Sequence, residues 1–153
     1  VTETQPNPVA IAAALDEPFE GFSATPYLDP VGIWTIGYGS TRDGNDAPVT
    51  ASTPPITQSQ AVDLLMRDMQ AAFADIALAV KVPLTANESA ALASLIYNIG
   101  AGAFNNSTLL QLLNAGQYEA AAAQFELWDH AAGKILAGLL RRRMAEKALF
   151  EKP

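Results

Sequence analysis

The chain predicts an α+β fold, mostly α, in which a small β-sheet region and a helical region are joined by one long helix. Three features carry that expectation. Short runs of Tyr, Ile, Trp, Val and Thr, punctuated by Gly and Pro, are confined to residues 25 to 50. Apolar residues at helical spacing, opened by capping signals, occupy most of the rest. One of these patterns, from about 58 to 80, is long enough to serve as a spine.

Residues 1 to 8 are polar, contain two prolines and begin at Val1, and read as a flexible tail left by removal of a leader or linker. Asn7-Pro8 ahead of Val9 to Leu15 reads as an N-cap, a first-turn proline and a run of helix formers, giving a helix that ends near Glu20. Residues 25 to 50 then read as a small antiparallel sheet. Thr57-Gln-Ser-Gln60 has capping-box form and opens the long helix. Thr85-Ala-Asn-Glu88 repeats the signal, and that helix stops at Gly100 or Gly102. A short helix over Ser107 to Leu113 and two more, over 117 to 129 and about 135 to 150, complete a bundle with short connections.

Composition narrows the chemistry. A chain of 153 residues suits one domain. No apolar run approaches the roughly 18 residues of a membrane span, so no stable membrane insertion is expected. The absence of cysteine excludes thiol catalysis, disulfides and thiolate metal sites. A single histidine, His130, gives no support to a His-rich metal site or a Ser-His-Asp triad. The net charge of −7 argues against nucleic acid, whose phosphates call for clustered Lys and Arg. Carboxylates and hydroxyls are left to do any chemistry.

Glu20 follows the first helix between Phe19 and Phe22. The negative end of the helix dipole and the apolar neighbours both favour the protonated form that a general acid needs. The plainer reading is a solvated residue ending a helix. Asp29-Pro-Val-Gly32 meets type I turn preferences at three positions, so Asp29 is a turn residue by default. Its alternative role is to orient an attacking water. In the predicted strand Ile33 to Gly39, alternation sets Thr35 away from the stripe of Trp34, Ile36 and Tyr38, beside two glycines that leave backbone open to a substrate. Strand threonines are commonly structural.

The spacing Glu20, eight residues, Asp29, five residues, Thr35, followed by Ile36-Gly37-Tyr38-Gly39, resembles the phage-type, T4-like lysozymes. The resemblance continues through Pro83-Leu-Thr85, Asn98 to Phe104, Ser107-Thr-Leu109, Trp128-Asp129 and Gly138 to Glu146. It implies a single lysozyme-like domain over 1 to 153, with a β-containing lobe at about 16 to 57, the connecting helix at 58 to 80, a helical lobe at 81 to 153 and the cleft between the lobes. The implied reaction is hydrolysis of the β-1,4 link between N-acetylmuramic acid and N-acetylglucosamine in bacterial peptidoglycan. Glu20 matches the family's general acid, Asp29 the carboxylate that activates water, and Thr35 the hydroxyl that positions it. Inversion would place the two carboxyls about 6.5 to 9.5 Å apart. Tyr97, Asn98 and Ser107 match positions near the sugar-binding cleft, although a helix-end Tyr and a Ser cap have structural readings too. No metal or organic cofactor is implied.

By the same resemblance the protein is a phage- or prophage-encoded monomer, made in the bacterial cytoplasm and acting at the wall or periplasm. Two departures stand out: Ser40 replaces a histidine common after the Gly-Tyr-Gly segment, and the chain is acidic where such endolysins are often basic. Trp128 reads as core and His130 as exposed. Arg141 to Arg143 read as a solvated helix face, with a pairing of one of them to Glu20 as the alternative. A catalytically silent glycan-binding domain and a lytic transglycosylase stand as other functions.

Overall fold

The computed structural model describes residues 7–131, 134–135 and 137–153. The expected tail lies mostly in residues 1–6, outside the described residues. Helix α1 (Pro8–Glu20) begins where Asn7 Oδ1 accepts from Val9 N–H at 3.0 Å, and Gly21 terminates it. Strands β1 (Ser23–Leu28) and β2 (Trp34–Gly37) form an antiparallel hairpin that pairs Tyr27 with Thr35 and Leu28 with Trp34. The chain then runs without further named strands to α2 (Gln58–Ala79), whose Thr57–Gln60 capping box is formed in both directions.

The sheet is narrower than the pattern of residues 25 to 50 suggests. Ile36 and Ser40 exchange both backbone hydrogen bonds at 2.9 Å, so the chain doubles back through residues 37–39 instead of extending. Gly37 permits this with φ of +68°, and an added Cβ there would lie 3.1 Å from Ala61 Cβ, which brings the strand end directly onto α2. Thr35 is buried along with Ile36, so the face expected to be open is covered.

The helical part follows the capping signals closely. Helix α3 (Ala86–Ile99) has its Thr85–Glu88 capping box and ends at Gly100. Helix α4 (Ala101–Asn105) was not legible, because Gly100 and Gly102 read as breakers. Helix α5 (Thr108–Asn114) starts at the Ser107 cap. Helix α6 (Tyr118–Gln124) is shorter than the stretch expected over 117 to 129 and tightens into a 3₁₀ turn at Phe125–Leu127. Two-residue strands β3 (His130–Ala131) and β4 (Lys134–Ile135) then precede α7 (Ala137–Glu151), where helix had been expected from about 135.

Two apolar clusters give these elements their positions. The larger one collects Ala12 and Ala13 of α1, Leu65 and Met69 of α2, residues 90–93, 95 and 96 of α3, and Phe104, Leu113, Phe125 and Phe150. The smaller joins Ile36, Val49 and Leu64 under Trp34 and Ile56. The adjacent residues Leu64 and Leu65 point into different clusters, which is how the long helix ties the hairpin region to the bundle. Each fully buried aliphatic side chain contributes about 1.5–3 kcal/mol. Trp128 packs half-buried against the larger cluster, and His130 is exposed, as expected.

Candidate active site

Glu20 is the last residue of α1 and its side chain is 21% exposed. Two hollows meet at it. One, of about 500 Å³, runs between α1 and the start of α7 past Phe19, Asn98, Leu139 and Arg142. The other, of about 320 Å³, opens toward the hairpin past Phe22, Ser23 and Tyr27. A hollow of similar size, about 490 Å³, lies between α6 and α7 near Glu88, Tyr118 and Lys147, and contains none of the candidate residues.

The two oxygens of Glu20 have different surroundings. Oε1 accepts from Arg142 Nη1 at 2.7 Å. Oε2 faces Gly39, where an added Cβ would lie 3.6 Å from it and 3.9 Å from the Tyr97 hydroxyl. Gly39 has φ of +102°, a conformation that suits glycine, and its missing side chain leaves that oxygen uncovered.

Arg142 belongs to a buried cluster that the sequence did not reveal. Its Nη2 donates to Asp16 Oδ2 at 3.1 Å, and its Nε lies 3.4 Å from Glu146 Oε2. Arg143 pairs with Glu146 and also donates to Asn98 Oδ1. Ser94 Oγ lies between Asp16 and Glu146. Arg142 and Arg143 are therefore buried, which corrects the expectation of a solvated basic face; only Arg141 is exposed, and the pairing with Glu20 is the alternative that holds. Burial pushes the Asp16 carboxyl up to about 7, against the pull of Arg142 and the contact with the Ser94 hydroxyl. Burial and the carboxylates of Glu20, Asp68 and Asp16 push the Tyr97 phenol upward, so it stays a protonated donor beside Glu20.

The hairpin holds Asp29 and Thr35 differently. Asp29 Oδ1 accepts from Val31 N–H at 2.9 Å and Ile33 N–H at 2.8 Å, and the turn closes with Gly32 N–H on Asp29 C=O at 3.0 Å. The turn reading of Asp29 is thus correct for Oδ1. Oδ2 has no protein hydrogen bond among the described residues. Thr35 Oγ1 donates to Ile33 C=O at 3.0 Å, leaving its lone pairs as acceptors. Thr35 sits across the ladder from Tyr27, which lines the second hollow with Glu20. No hydrogen bond joins Glu20 to Asp29 or Thr35 among the described residues.

Of the remaining candidates, Asn98 is exposed on the first hollow and Tyr97 is half-buried beside Gly39. Ser107 is buried; its hydroxyl donates to Phe104 C=O and accepts from Leu110 N–H, so it caps α5. Ser40 donates to Asp68 Oδ2 at 2.6 Å and so links the turn after β2 to α2 through a hydroxyl–carboxylate contact. No group of three or more His, Cys, Asp or Glu among the described residues is placed to hold a metal.

The family model described as phage lysozyme matches residues 17–146. The chain belongs to the phage lysozyme family. An endolysin of Acyrthosiphon pisum secondary endosymbiont phage 1 is 44% identical over 137 residues, covering 87% of this chain and 90% of that protein. Among solved structures, a mutant of P22 lysozyme aligns with a TM-score of 0.86 and 38% identity over 98% of this chain and 100% of that one. The muramidase domain of SpmX from Asticaccaulis excentricus aligns with a TM-score of 0.80 and 33% identity over 94% and 96%. This phage lysozyme is accordingly a glycoside hydrolase that lyses peptidoglycan, with the mostly helical, small-sheet fold of its relatives. Phage endolysins act on the cell wall, and no helix among the described residues is long and apolar enough to cross a membrane.

Proposed function

We propose that this phage lysozyme cuts the β-1,4 bond between N-acetylmuramic acid and N-acetylglucosamine in one displacement with inversion. Glu20 is the general acid: the proton on Oε2 passes to the glycosidic oxygen as the bond to C1 breaks. A water held by the free Oδ2 of Asp29 and the Thr35 hydroxyl bonds to C1 from the opposite side and passes its proton to Asp29. This is the two-carboxylate chemistry of inverting glycosidases. The observation that carries the reading is the division of labour within Glu20, one oxygen clamped by Arg142 and the other uncovered at Gly39. Tyr97 and Asn98 are the residues proposed to meet the glycan beside it. The enzyme is proposed to work as a monomer without metal, cofactor or nucleic acid, made in the bacterial cytoplasm and acting at the wall. Its charge of −7 slows encounter with an anionic wall, so salt is expected to help it.

The test is digestion of purified peptidoglycan by the wild type, Glu20→Gln and Asp29→Asn, with mass spectrometry of the fragments. Reducing muramic ends are expected from the wild type and almost no product from Glu20→Gln. Anhydro ends would make it a lytic transglycosylase, and wild-type rates from Glu20→Gln would remove the acid assignment.

A further inference from the structure

Asp16 and Glu20 lie one turn apart on α1, four residues being the spacing that brings side chains to one helix face. They share a single cation. Arg142 reaches Asp16 at 3.1 Å and Glu20 at 2.7 Å, while Glu146 lies 3.4 Å from Arg142 and 2.5 Å from Arg143. The side chains of Asp16, Glu146 and Arg143 are wholly buried, and that of Arg142 nearly so. Three carboxyls against two guanidiniums leave one negative charge in excess, and a buried uncompensated charge is costly. One bound proton cancels it.

Ser94 locates that proton. Its Oγ lies 2.5 Å from both Asp16 Oδ1 and Glu146 Oε2. A hydroxyl carries one hydrogen, so the second of these contacts needs a proton on a carboxyl. Glu146 is gripped by both guanidiniums, whereas Asp16 has only a share of one, so while Glu20 is ionised the proton belongs to Asp16. Its raised pKa agrees with this assignment.

We propose that Asp16 is a positioning residue for Glu20, governing through the shared Arg142 guanidinium how readily Glu20 keeps the proton it donates. The inference rests on Glu20 being the acid. With Asp16 neutral, the attraction of Arg142 falls mainly on Glu20 and favours its carboxylate. Once Asp16 ionises, it competes for the guanidinium and sets a like charge one turn away, and both effects favour the protonated acid. The groups facing Asp16 are Glu20 on its own helix, Tyr97 from α3, and Arg142, Arg143 and Glu146 from α7. From α2, Asp68 bears on Tyr97 and is itself held by Ser40 and Arg67.

Asp16→Asn reproduces the neutral state, since its amide can accept from Arg142 and donate to Ser94. The alkaline limb of peptidoglycan digestion is expected to move down by about one pH unit, a roughly tenfold loss on that limb, with KM and the acid side nearly unchanged. A uniform loss at every pH, with the limb unmoved, would mean a structural role only. A second measurement leaves Asp16 in place: in Glu20→Gln, its ¹³C carboxyl resonance should titrate at lower pH than in the wild type, because coupling is reciprocal. An unchanged midpoint would overturn the inference. If Glu20→Gln digests at the wild-type rate, the acid assignment fails instead, and the two failures are told apart.

Discussion

The surroundings of Glu20 and Asp29 are built from opposite kinds of contact, although only eight residues separate them. Glu20 is held by Arg142, 122 residues away, and behind that guanidinium Asp16 meets Ser94 across a separation of 78 residues. Asp29 is held by amides two and four residues on, within its own turn. One carboxyl therefore depends on the packing of α1, α3 and α7, and the other on a hairpin that carries its geometry locally. A perturbation of the bundle should reach the acid and leave the water-holding group alone. A perturbation of the turn should do the reverse.

The largest expected effect is on chemistry with no change of fold. Glu20→Gln should lower peptidoglycan digestion by about 10²–10⁴-fold while its circular dichroism and unfolding midpoint stay near those of the wild type; retained activity would break the comparison at its first term. Next is Arg142→Met, which removes the guanidinium that Asp16, Glu20 and Glu146 share in the bundle. It should cost about 3–5 kcal/mol in urea unfolding, and a loss below ~1 kcal/mol would show that the cluster is not holding α7 to α1. Asp29→Asn keeps an oxygen for both turn amides, so stability should change by less than about 1 kcal/mol while activity falls about 100-fold. Unfolding of the hairpin region in this variant would mean that the charge, not the acceptor, holds the turn.

A further effect sharpens the same contrast through pH. Asp16 is raised from 3.8 to about 7 in the folded protein, which therefore holds a proton that the unfolded chain has released between those values. The stabilisation from this group is complete below about pH 4 and is lost as pH rises through 7, with a slope of about 1.4 kcal/mol per pH unit. Asp16→Asn lacks that slope, so the two unfolding curves should agree best near pH 4 and diverge as pH rises toward 7, the wild type losing stability relative to the variant. Parallel curves across the range would contradict the buried, protonated Asp16.

The contrast also explains what could be read in advance. Capping boxes at Thr57 and Thr85, the Asn7 cap and the Asp29–Gly32 turn are local hydrogen-bond patterns, and each formed where the residues predicted it. Glu20, Asp29 and Thr35 stand in one short segment, and their roles were legible through its resemblance to the phage-type lysozymes, since each residue alone has a structural reading. The charged cluster was not legible, because Asp16, Ser94, Arg142, Arg143 and Glu146 meet only through packing of three helices. Their one sequence signal was charge spaced three and four residues apart: Asp16 to Glu20 on α1, and Arg142 and Arg143 to Glu146 on α7. On a solvated helix the same spacing makes ordinary surface pairs. Helix α4 and the β3–β4 pair leave no sequence signal, because five-residue and two-residue elements have too few positions to show a period.

Which side of the sugar the water attacks is the direct consequence of setting a bundle-held acid against a hairpin-held carboxylate. The measurement is ¹H NMR of a muramic-acid-containing oligosaccharide in the first minutes of cleavage, before the new reducing end mutarotates. Attack by a water held at Asp29 gives the α-anomer first. The β-anomer as initial product would show retention, make Asp29 a nucleophile rather than a water-holding base, and contradict the single displacement.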